Sequence, residues 1–211
     1  KSATWLVITA LIMISYQLLY TQVYLWEPHI HRIIHLALAF VVVSLTIAAK
    51  QRYVSVRIFF FFLIVVVLGT AAELIWVYPA SREPLVLPPD GSMIGGTISL
   101  VLCLFFTWWR FGAIFPTFFF VVLLYAVFGH HFLPEAIQVP QVSFLRLVSW
   151  FSGDIFSESG VYGNILSLLA NYIWLFMVYG AFLQASGGLR FIQGVGTWVS
   201  GRLASGAGML A

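Results

Sequence analysis

Charge is what this chain most lacks. Of its 211 residues only 8% are Asp, Glu, Lys or Arg, ten basic side chains against seven acidic. A water-soluble domain carries about 25%, so this chain has too few ionic groups to cover a surface facing water. A soluble enzyme, a nucleic-acid binder and a disordered tail are all excluded on that ground. Cysteine is almost missing too. The single Cys103 lies in an apolar stretch, which excludes an intramolecular disulfide framework and a cysteine-based metal site. Nowhere do four basic residues run together, so the net charge of +3 reflects scattered topology signals rather than a phosphate-binding patch. The catalytic signatures Gly-x-Ser-x-Gly and His-Glu-x-x-His and a phosphate-binding glycine loop are absent as well. No enzyme is expected.

What remains is apolar. Hydrophobic residues make up 62% of the chain and aromatic ones 18%, and the mean hydropathy is +1.01. Several runs reach the ~20 residues a helix needs to cross ~30 Å of hydrocarbon. The apolar runs cover residues 4–25, 33–49, 54–78, 93–109, 113–133 and 161–185, four of them longer than 20 residues. Glu27 and Pro28 break the first from the second, and Pro79 ends the third. The loop over 80–92, with Pro84, Pro88 and Pro89, is not helical throughout, and Arg110-Phe111-Gly112 forms a tight break. The expected fold is all-α: a polytopic helical membrane protein of about six transmembrane helices. Two amphipathic stretches add interfacial helices. Phe144, Leu147, Val148 and Phe151 mark one within 138–159, and Ile192, Val195, Val199 and Leu203 mark the other over 189–203, where Gly194, Gly196 and Gly201 weaken the helix.

Basic residues set the orientation. With the N-terminus in the cytoplasm, the inside receives seven of the ten, Lys1, Lys50, Arg52, Arg57, Arg110, Arg190 and Arg202. The outside then has Arg32, Arg82 and Arg146, as the positive-inside rule prefers. Both ends read as cut: the chain starts at Lys1 directly before an apolar run and closes on a Gly/Ala-rich stretch like the start of another membrane segment.

Few side chains are candidates for chemistry. Glu73 lies about five residues inside the third run, and a carboxylate at that depth is a functional candidate by default. Its alternative is hydration or pairing with an arginine of the following loop. Asn171, deep in the sixth run, either bonds a neighbouring helix or lines a polar path. His29, His31, His35, His130 and His131 cluster at span ends. They read as interfacial side chains touching water or, alternatively, as ligands of a metal or haem in a membrane redox subunit. Ser157-Glu158-Ser159-Gly160 reads as a capping loop ahead of the sixth span.

From residue 87 onward an ordered series of motifs resembles one family. Arg110 and Gly112 are followed by Pro116 and Leu124-Tyr125-Ala126-Val127-Phe128-Gly129. Then come Gly160-Val161-Tyr162-Gly163-Asn164, Leu175-Phe176-Met177-Val178-Tyr179-Gly180-Ala181-Phe182-Leu183, Ser186-Gly187 and Gly201-Arg202. The succession resembles the fused permease of tripartite ATP-independent periplasmic (TRAP) transporters, of the type served by a TAXI-class binding protein. The first 80 residues are similar in hydropathy pattern, with His35-Leu36-Ala37 the best local match. The resemblance implies that residues 1–112 are a four-helix scaffold akin to the small subunit, and that 113–211 begin the large transport subunit. It implies a bacterial inner-membrane location and a periplasmic binding protein delivering a small carboxylate. The lipid bilayer and the remainder of the transport domain would be the other partners. Sodium and substrate would bind in re-entrant hairpins beyond Ala211, so no catalytic, cofactor or metal residue carries over to this chain. Residues 189–203 would be an interfacial arm bracing a moving domain.

Overall fold

A computed structural model describes residues 2–23, 26–77, 90–132, 143–150 and 160–202, and among them every regular element is a helix. The order is α1 (Ser2–Val23), α2 (Pro28–Lys50), α3 (Val54–Val77), α4 (Asp90–Phe111), α5 (Ile114–Phe132), α6 (Phe144–Val148) and α7 (Asn164–Leu168). A π-helical segment (Leu169–Ile173), α8 (Trp174–Ala185) and α9 (Gly188–Arg202) follow. Among the described residues five helices are long and apolar enough to cross a bilayer: Thr4–Val23, Pro28–Lys50, Val54–Val77, Met93–Phe111 and Asn164–Ala185. The protein is a multi-pass helical membrane protein. The expected span at 113–133 does form a helix, but its apolar part is Ile114–His130, and 17 residues rise only about 26 Å, short of ~30 Å.

Two helices begin elsewhere than the hydropathy predicts. Helix α2 starts at Pro28, five residues ahead of the apolar run. Proline at the first helical position costs nothing there, because the missing N–H is one the helix leaves unpaired anyway. The break after α1 is therefore narrower, and His29, His31 and His35 all lie on the helix. The last long span begins at Asn164 with Gly163 as its N-cap, three residues later than expected, because Tyr162 is taken up in packing. Between α4 and α5 the tight break is as expected. Gly112 adopts φ +80° and its N–H bonds the Trp108 carbonyl at 2.9 Å, a left-handed cap that any Cβ would strain.

The chain divides into two compact units, 1–170 and 171–211. In the first, α1 packs on α2, α2 on α3, α3 on α4 and α4 on α5. The seams repeat every three or four residues. Phe60, Leu63, Val67, Thr70 and Leu74 are the buried residues of α3, and Ser99, Leu102 and Phe106 are buried along α4, the spacing of knobs-into-holes packing. Rings fill the end where α2 and α4 finish: Phe40 stacks on Phe106 at 5.1 Å, and Phe60 meets Trp109 edge-on at 5.3 Å. At the other end α3 and α4 come together tightly. A Cβ added to Gly95 would lie 2.7 Å from a Leu74 methyl, so only glycine allows this approach. Of the stretch over 138–159, helix α6 is described, with Leu147 buried and Phe144 and Arg146 exposed; Phe151 and the Ser157–Ser159 capping loop lie outside the described residues, as does the loop at 80–89.

In the second unit, α8 buries none of its side chains. Gly187 turns the chain with φ +78°, and α9 packs back on α8. Ile192, Val195 and Val199 are exposed, an unburied apolar face of the kind an interfacial helix lays on a membrane; Leu203 lies outside the described residues.

Candidate functional site: a polar cluster between the first two helices

A polar cluster occupies the α1–α2 interface. Gln17 and His31 are wholly buried, and His35 is 7% exposed. The Tyr16 hydroxyl lies 3.0 Å from His31 Nδ1, and Gln17 Nε2 bonds His35 Nδ1. The Tyr20 ring stacks flat on the His31 imidazole, with centroids 3.5 Å apart and 1° between planes. The two imidazoles are 6.3 Å apart. With the Tyr16 hydroxyl donating to Nδ1, a neutral His31 holds its proton on Nε2. Among the described residues that nitrogen makes no hydrogen bond of regular geometry. Burial corrects the reading of these two histidines as water-touching interfacial residues. For His31 the reason is the early start of α2, which places it on the helix against α1; His35, within the expected run, follows one turn on along the same face. His29 is half-buried, and His130 is half-buried at the end of α5; the His131 side chain lies outside the described residues. Among the described residues no three His, Cys, Asp or Glu side chains gather as a metal site would require.

A second polar junction centres on Tyr162. Its carbonyl accepts a bond from Arg32 Nη1 of α2 at 2.9 Å, and its hydroxyl lies 2.7 Å from Ser99 Oγ of α4. Ser99 Oγ already donates to the Gly95 carbonyl at 2.9 Å, so its one proton is committed and Tyr162 is the donor between them. Burial pushes the Tyr162 phenol above the ordinary range, since ionisation there would place an anion among Ile33, Leu74 and Leu166. The short segment before α7 is thus fastened to two helices far away in sequence.

The two candidates from hydropathy fall elsewhere. Glu73 is half-buried near the end of α3, next to the buried Leu74; Arg82, its expected partner, lies outside the described residues. Asn171 is half-buried within the π-helical segment, a geometry frequent at functional sites. Tyr16, Gln17, Tyr20, Arg32 and Ser99 were not among the sequence candidates. A signal for some of them exists: Tyr20 and His31, like Gln17 and His35, are nearly equidistant from the bend at Trp26, so an antiparallel hairpin must pair them.

Compared with protein-family models, curated proteins and solved structures, the chain matches none.

Proposed function

We propose that this chain is the scaffold portion, with the first transport-domain helices, of a TRAP-type permease in a bacterial inner membrane. Such a permease imports small carboxylates delivered by a periplasmic binding protein. A sodium gradient drives an elevator-like movement of a domain that this chain braces. The observation that carries the reading is the ordered succession of motifs from 87 onward. One of them, Gly160–Asn164, contains the tyrosine that bonds both α2 and α4. A static brace needs such cross-helix ties and large lipid-facing apolar surfaces. Trp76, Phe118 and Phe176, 86%, 68% and 73% exposed, are examples of the latter.

The test is uptake of radiolabelled organic acids into proteoliposomes containing the full natural chain, with its binding protein and an imposed sodium gradient. Uptake that needs both supports the reading. A stoichiometric haem or metal in purified protein, seen by absorption spectrum and metal analysis, would overturn it in favour of a redox subunit built on the histidines. In the same assay Glu73→Gln leaves insertion intact and changes uptake little; complete loss at normal expression would make Glu73 part of the transport path.

A further inference from the structure

We propose that the cleft between the C-terminal halves of α2 and α4 binds an anionic phospholipid, its phosphate between Lys50 and Arg110 and an acyl chain along the apolar wall. The cleft has a volume of about 620 Å3, in the size range of small-molecule sites. Its wall is hydrocarbon and aromatic: Phe40, Val43, Ile47 and Phe106 line it. The hydroxyls that line it are already spent on their own helices. Thr46 donates to the Val42 carbonyl at 2.7 Å, and Thr107 donates to the Cys103 carbonyl at 2.7 Å. The wall therefore has little to offer a polar solute.

The mouth is different. Lys50 and Arg110 each stand in the last turn of their helix and both line the cleft. Arg110 is held at the rim with its guanidinium carbon 5.6 Å from the Phe111 ring centre. The acids of these helices lie at their opposite ends: Glu27 and Asp90 start α2 and α4, and Glu73 is near the end of α3. Among the described residues no carboxylate shares this end with the two cations. Arg52 in the neighbouring α2–α3 turn and Arg57 in the first turn of α3 add to the positive field. Two cations at the mouth of an apolar cleft between membrane helices match an anion that has a hydrocarbon tail.

Cys103 is the only thiol in the chain and lines the cleft, so its alkylation by N-ethylmaleimide reads occupancy directly. The full chain is reconstituted in vesicles of phosphatidylglycerol or of phosphatidylcholine. Alkylation is expected to be roughly threefold or more slower in phosphatidylglycerol, given the strength of one cation–lipid attraction. K50Q/R110Q should abolish the difference, while K50R/R110K, which keeps both charges, should retain it. Equal rates in the two lipids would overturn the proposal. So would a slowing that persists in K50Q/R110Q, because surface potential alone then explains it. Protection in phosphatidylcholine by inorganic phosphate would assign the site to a free anion. A Cys103–Cys103 disulfide dimer formed on oxidation with copper phenanthroline, in place of lipid protection, would assign the cleft to a second copy of the chain.

Discussion

Gln17 and His35 meet where no water is available to replace a lost partner. Each satisfies a group that hydrocarbon would leave bare, so removing one side is expected to cost more than removing both. Gln17→Leu or His35→Leu alone should lower stability by about 1–2 kcal/mol. The double substitution should cost clearly less than the two single losses added, which unfolding in graded SDS measures as a coupling energy. Full additivity would mean that the contact contributes nothing. Tyr162 makes a second residue-scale case. Tyr162→Phe removes one donor but leaves Ser99 bonded to Gly95, so a loss of about 0.5–1.5 kcal/mol is expected. The same residue gives a pH signature. The unfolded chain releases phenolic protons near pH 10, whereas the folded chain holds that of Tyr162 to higher pH. Its contribution is present in full below about pH 10 and lost as pH rises beyond it. The alkaline fall in the detergent-solubilised melting temperature should therefore be shallower in Tyr162→Phe than in the parent protein.

At the level of helices, the glycines separate into two kinds. At Gly95 a methyl would run into the fully buried Leu74 side chain, which would have to shift. Gly95→Ala should destabilise by about 1–3 kcal/mol, the usual cost of overpacking. Gly194 and Gly196 in α9 have open space where a Cβ would go. Alanine at either should raise helicity by about 0.8–1 kcal/mol, read as slower amide exchange across 188–202. This contrast was closed to the sequence, because both kinds of glycine interrupt apolar helices in the same way. Helix existence was open to it, since long uncharged runs have no other stable form in lipid. Starts were less so: Pro28 looked like a breaker and is a first helical residue, while Tyr162 looked like part of a span and is its anchor. Which face packs inward was hidden as well, since in α3 the inward and outward sides are equally hydrophobic.

For the whole chain, the alternation of apolar runs and polar breaks made the antiparallel stacking of α1 to α4 legible. The ties from Tyr162 to Arg32 and Ser99 were not, since a contact across 130 residues leaves no local trace. The distribution of Lys and Arg predicts that α1 starts on the cytoplasmic side. Alkaline phosphatase fused after residue 27 should be active and after residue 52 inactive; the reverse pattern would invert the topology.

The even hydrophobicity of α3 has a consequence for how this helix tolerates change. Swapping Phe62, which is 61% exposed, for Leu trades one oily side chain for another in contact with lipid. The same swap at Phe60, fully buried, opens a void between helices. A saturation library across 54–77 should thus show fitness beating with a period of three to four positions along a segment whose amino-acid content is monotone.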